Sequence, residues 1–210
     1  MRFLPELFEN NRRWAERMRA SDPEFFERLS AKQHPKYLWI GCSDSRVPAN
    51  QIVGLPPGKM FVHRNVANLC VHSDMNFLSV LHYAVEDLRV EHVIVCGHYD
   101  CGGVLAAMGD GSQGLVDNWL HHVRDTRCRH AEELARLESA ALKCDRLCEL
   151  NVIEQVGNLA HTSVVQKGWA EARALTIHGW IYDLKDGLLK DLGVSVGAAK
   201  EVDGAYRLKL

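Results

Sequence analysis

The chain has 210 residues, enough for one domain with a substantial core, and its 47% apolar and 25% charged content is that of an ordinary globular protein. A formal net charge of −2 without a clustered Lys/Arg run argues against a nucleic-acid-binding surface, and no stretch approaches the roughly 20 apolar residues of a membrane span. Seven cysteines, an odd number, do not make a disulfide framework, and Met1-Arg2-Phe3-Leu4-Pro5-Glu6 lacks the apolar core of a signal peptide, so the expected compartment is the cytoplasm.

Residues 3–20 read as an amphipathic helix with Leu7, Trp14 and Met18 on one stripe. Asp22-Pro23-Glu24 predicts the start of a second helix, with Asp22 as cap and Phe25, Phe26 and Leu29 inside. Both helices precede the first strand and need an apolar surface elsewhere; a partner subunit is the expected place. From residue 37 the pattern becomes strand, loop, helix. Strands are predicted at 37–41, 59–62, 92–96 and 174–180. Helices are predicted from a cap at Asp74, over 101–108, 116–127 and 130–139, and as one long element over 145–168; residues 109–114 form an exposed loop. The tail holds a helical turn and an edge strand at 203–209.

Continuous apolar strands alternating with amphipathic helices predict an α/β fold: a mostly parallel central sheet of four parallel strands plus a C-terminal edge strand, flanked by helices. The expected organisation is a single domain with a helical arm (1–34), an α/β core (35–182) and a C-terminal segment (183–210). In such sheets ligands bind beyond the carboxyl ends of the strands.

Two motifs stand there: Cys42-Ser43-Asp44-Ser45-Arg46 after the first strand, and His98-Tyr99-Asp100-Cys101-Gly102-Gly103 after the third. Cys42, His98 and Cys101 offer two sulfurs and an imidazole, a donor set suited to one Zn²⁺ ion. Asp44 can be a fourth ligand that closes the site, or can pair with the Arg46 guanidinium and leave that position to water. An open position makes the zinc catalytic, and a permanently closed one makes it structural. Two thiolates neutralise the dication, which predicts a less acidic water than in a three-histidine site and activity rising toward alkaline pH. Competing readings are a zinc-stabilised module that senses an anion without turnover, and a thiol redox protein; the latter lacks a Cys-x-x-Cys pair. Cys70, Cys96, Cys128, Cys144 and Cys148 read as ordinary free thiols.

With these residues placed, the chain resembles the β-class carbonic anhydrases over about residues 1–190. The resemblance rests on Trp39-Ile40-Gly41-Cys42-Ser43-Asp44-Ser45-Arg46-Val47-Pro48-Ala49, Phe61-Val62-His63-Arg64-Asn65-Val66-Ala67-Asn68 and Cys96-Gly97-His98-Tyr99-Asp100-Cys101-Gly102-Gly103-Val104. It implies reversible hydration of carbon dioxide to bicarbonate and a proton by zinc-bound hydroxide. Cys42, His98 and Cys101 would hold one zinc per subunit, with Asp44 and Arg46 as the catalytic pair and Asp44 as an alternative ligand. It further implies a narrow pocket walled by Phe61, Val66 and Tyr83, with Gln33 reaching in across a dimer interface and the Gly102 N–H as a donor. His63 and His72 are candidate proton carriers. A homodimer or a dimer of dimers is implied, the N-terminal helices embracing the partner. The family also contains a bicarbonate-regulated (type II-like) subclass. Trp39, Arg64 and Tyr182 match its second anion site, and Gly41 stands where the other subclass usually has Ala. Neither membrane nor nucleic acid is an expected partner.

Overall fold

The computed structural model describes residues 3–210; Met1 and Arg2 of the expected arm lie outside the described residues. Two compact units divide between His34 and Pro35. In the first, helix α1 (Pro5–Ser21) is followed by α2 (Phe25–Ser30). Trp14 packs edge-on against Phe25 and Phe26, whose rings lie 5.0 Å apart. The start of α2 differs from expectation. Asp22 ends α1, its N–H bonded to the Met18 carbonyl, and its carboxylate takes Arg28 Nη1 at 3.1 Å. Occupied in this way, Asp22 does not cap α2, and Pro23 falls in the turn. No described residue of α1 or α2 is buried.

The second unit is built on five strands: β1 (Tyr37–Cys42), β2 (Met60–Asn65), β3 (His92–His98), β4 (Thr176–Tyr182) and β5 (Leu189–Asp191). Their spatial order is β2-β1-β3-β4-β5. The first four are parallel and β5 is antiparallel to β4. The helices are α3 (Ala49–Ile52), α4 (Met75–His82), α5 (Gly102–Met108), α6 (Val116–Arg129), α7 (Ala131–Ala135), α8 (Ala140–Ala160) and α9 (Ser163–Ala170). β1 is buried at all but its first residue, and β3 likewise, as interior strands of a parallel sheet require. Leu38, Ile40, Val93, Val95, Ile177 and Ile181 meet Phe77, Leu81, Leu147, Val152 and Leu159 from the helices in the main core. A smaller cluster joins Ala49 of α3 to Trp39, Met60, Ile94 and Cys96, which take the alternate positions of β1 to β3 and hence the opposite sheet face. Helix α8 lies so close to β3 that a Cβ on Gly97 would stand 2.6 Å from Val152 Cγ2, and only glycine permits that approach.

Several boundaries depart from the local pattern. The expected 145–168 helix is two helices, because Thr162 interrupts it and caps α9 by accepting from the Val165 N–H. The expected 130–139 helix shortens to α7. The antiparallel edge is β5, not 203–209: there the Leu208 N–H donates to Gln166 Oε1, Gln166 Nε2 donates to the Tyr206 carbonyl, and the Tyr206 ring stacks on His161 at 4.0 Å. These side-chain partners replace a strand ladder. Asp74 caps α4 as its sequence indicates, accepting from the Asn76 N–H. Among the described residues no helix is long and apolar enough to cross a membrane.

Candidate metal centre

β1 and β3 are longer than the apolar runs indicate, so Cys42 and His98 are the last residues of adjacent strands. Cys101 follows as the residue that caps α5. The convergence is therefore a property of the sheet register. Cys42 is 5% exposed, His98 0% and Cys101 1%. Their ligand atoms all lie within 4.8 Å of one another, and among the described residues no other such cluster occurs.

The chemistry of the donors fits a zinc ion. The two Sγ atoms are 3.9 Å apart; tetrahedral zinc with bonds of about 2.3 Å places two sulfurs roughly 3.8 Å apart. His98 Nδ1 lies 2.9 Å from the Tyr99 carbonyl and so carries the proton, which leaves the Nε2 lone pair directed inward. That Nε2 is buried and has no hydrogen-bond partner, a costly arrangement unless the atom serves as a ligand. A hydrogen bond from Cys101 draws the pKa of Cys42 down to about 4 against the penalty of burial, while the bond with Cys42 and burial push that of Cys101 up. Backbone groups of Val104 and Gly103 oppose the rise at Cys101, and those of Asp44 and Ala67 add to the lowering at Cys42.

Asp44 stands beside this set, with Oδ2 3.8 Å from His98 Nε2. Its carboxylate is clamped by Arg46: Nε donates to Oδ1 at 3.0 Å, Nη2 to Oδ2 at 2.7 Å and the backbone N–H to Oδ1 at 2.9 Å. These bonds hold the Asp44 carboxyl far below the usual range, partly opposed by burial. Arg46 also donates to the Asp100 carboxylate at 3.3 Å and to its carbonyl at 3.2 Å. Sequence reasoning gave Asp100 no role. The signal was there in outline: Asp tolerates the left-handed backbone that Asp100 adopts, φ 55°, in a turn leaving a strand.

The other expected residues divide. Val66 lies against α5, since a Cβ on Gly103 would stand 3.0 Å from Val66 Cγ1. Gly102 is exposed at the start of α5, and a Cβ there would meet open space. Phe61 and Tyr83 are brought to each other, ring centroids 5.8 Å apart, but not to the donors of their own chain. Phe61 pairs with Leu38, four residues before the Cys42–Asn65 pair, so it is set back about 13 Å along the strand. Gln33 belongs to the first unit. Trp39 is fully buried, and Tyr182 packs on the same small cluster. Arg64 donates to the Cys42 carbonyl at 2.8 Å and to the Asp44 carbonyl, and among the described residues no carboxylate pairs with it. His63 is 5% exposed beneath Phe77, and burial lowers its pKa; His72 is exposed, bonded to the Asn158 carbonyl.

An α/β protein with a buried Cys-His-Cys donor set at the carboxyl ends of parallel strands is the class these features define. Residues 37–189 match the family model described as carbonic anhydrase. A carbonic anhydrase of Emericella nidulans is 47% identical over 204 residues, covering 97% of this chain and 90% of that protein. The Coccomyxa β-carbonic anhydrase, solved in complex with acetazolamide, superposes with a TM-score of 0.90 at 38% identity, covering 96% of this chain and 91% of that one. A structure from a report on two tetrameric β-carbonic anhydrases of Sordaria macrospora gives 0.88 at 39% identity over 91% and 98% of the chains. The chain belongs to the β-class carbonic anhydrases and is an enzyme of carbon dioxide hydration.

Proposed function

We propose that the protein hydrates carbon dioxide at one zinc ion held by Cys42, His98 and Cys101, with Asp44 and Arg46 as the catalytic pair. The observation that carries this reading is the buried, partnerless Nε2 of His98 facing two sulfurs, with an ionised carboxylate fixed alongside. Bound there, zinc would supply the Lewis acidity that makes water a nucleophile. Arg46 keeps Asp44 ionised and oriented, so the carboxylate is a hydrogen-bond acceptor that aims the attacking oxygen. The Tyr99 carbonyl fixes the His98 tautomer. Val66 walls the approach with an apolar surface suited to a small apolar substrate, and the Gly102 N–H is the donor to a developing oxyanion.

The set-back position of Phe61 and Tyr83 favours a homodimer in which they, with Gln33, line the partner's pocket. The exposed apolar residues Leu7 and Phe8 of α1, with Leu4 just before it, suit the same association. The tetrameric relatives of Sordaria macrospora favour pairing of two such dimers. Bicarbonate regulation belongs to the proposal as well. By register Trp39, Arg64 and Tyr182 share one sheet face, and Arg64 has a free charge for an anion. Its bonds to the Cys42 and Asp44 carbonyls would carry anion binding to the Asp44 turn.

The test is metal content with stopped-flow hydration. One zinc per chain, activity abolished by a chelator and restored by zinc, and a Cys42→Ser variant lacking both supports the reading. Hydration that persists in metal-free protein, or zinc bound without turnover, overturns it.

A further inference from the structure

The loop from Asn65 to Cys70 has two consecutive non-glycine residues in the left-handed region, Ala67 at φ 64° and Asn68 at φ 49°. Such backbone persists only where its surroundings over-determine it. Here five backbone groups of the loop are gripped by side chains. Asn65 takes both polar groups of Leu69, at 2.7 and 2.8 Å. Asn151 Nδ2 donates to the Ala67 carbonyl at 2.9 Å, and the Cys70 N–H donates to Gln155 Oε1 at 2.8 Å. Gln155 in turn donates to Asn151, and both amides are 1% exposed.

One of these grips bears on the donor set. Trp119 Nε1 donates to the Val66 carbonyl at 2.8 Å. That oxygen belongs to the 66–67 peptide, which follows directly on Asn65, the register partner of Cys42 and acceptor of the Ser43 N–H at 2.8 Å, and a Cβ on Gly103, two residues past Cys101, would stand 3.0 Å from Val66 and 3.3 Å from Ala67. The indole on α6 therefore pins the peptide that packs between the Cys42 strand end and the turn after Cys101.

The geometry points to Trp119 as a positioning residue for the metal centre: its N–H orients the 66–67 peptide against Cys42 and so sets how firmly the ion's sulfur ligand is held. Asn151 and Gln155 back the same loop from α8. The inference rests on the zinc reading above. It predicts that outer-shell loss shows in metal retention, where such partners are worth ~10-fold or more.

Trp169 provides a matched control. Its indole makes the same bond, to the Leu175 carbonyl at 2.7 Å, with no link to Cys42. Trp119→Phe and Trp169→Phe each delete one indole donor and keep an aromatic ring. In the purified holoenzyme, zinc release to excess chelator is followed with a colorimetric indicator, at equal temperature intervals below each variant's Tm. Cobalt-exchanged protein gives a second reading through its thiolate charge-transfer band. The expected result is ~10-fold or more faster release and a shifted band for Trp119→Phe, with Trp169→Phe at the parental rate. Equal release from the two variants overturns the inference and leaves the zinc reading intact. Parental protein without zinc ends both.

Discussion

Gly41→Ala probes the small sheet face that the proposed anion site occupies. A Cβ at position 41 would lie 2.4 Å from Trp39 Nε1 and 3.1 Å from Cδ1. Trp39 is fully buried, so the indole has no solvent to move into and must displace its neighbours in the cluster with Met60, Ile94 and Cys96. Overpacking of this kind costs about 1–3 kcal/mol. In a chain of this length that corresponds to a Tm lowered by roughly 2–12 °C. The indole N–H is also the proposed donor to bicarbonate. A hydrogen bond to a charged group is worth about 1.5–3 kcal/mol, so moving it should weaken bicarbonate inhibition by roughly 10- to 150-fold. The assay pairs thermal unfolding with initial hydration rates over a bicarbonate series, zinc content being measured on the same sample. An unchanged Tm would refute the packing argument. A lowered Tm with parental inhibition would refute the part given to Trp39.

Arg46→Gln removes both guanidinium bonds to Asp44, yet Arg46 is half exposed, so Tm should move by no more than about 4 °C. Hydration should fall by roughly 10- to 100-fold, and parental turnover in the zinc-replete variant would contradict the dyad. Arg89 is exposed at φ 58°, where a Cβ costs about 1 kcal/mol; Arg89→Gly should raise Tm by about 2–4 °C, read by calorimetry. Glu86 accepts from Arg173 at 2.5 Å, which lowers its pKa against a smaller opposing effect of burial. A depressed folded pKa gives stability that is complete above the ordinary carboxylate value and lost as pH falls through the folded one. The denaturation midpoints of the parent and Glu86→Gln should therefore differ most near neutrality and converge from about pH 4.5 downward, whereas a constant gap would exclude this linkage.

The donor set was legible because it follows directly from local pattern. Cys42 and His98 end apolar runs that could only be interior strands, and Cys101 lies three residues beyond His98. The parallel sheet was legible for the same reason. The strand ends were not: polar His63, Arg64 and Asn65 interrupt the apolar pattern, yet their backbones complete the ladder with β1. Nor was the break at Thr162, since the apolar stripe runs through it and only the hydroxyl cap marks it.

Residue types and their order along the chain thus determined which side chains could hold a metal and on which kind of scaffold. Tertiary structure decided what those side chains bond to. The further bonds of Arg46 to Asp100, the reach of Arg64 to two carbonyls and the grip of Trp119 on the Val66 oxygen join positions up to 54 residues apart. Their partners are largely backbone groups, which every residue carries alike, so no local pattern distinguishes one from another. Only the packing of strand and helix selects the carbonyl within 3 Å of a given donor.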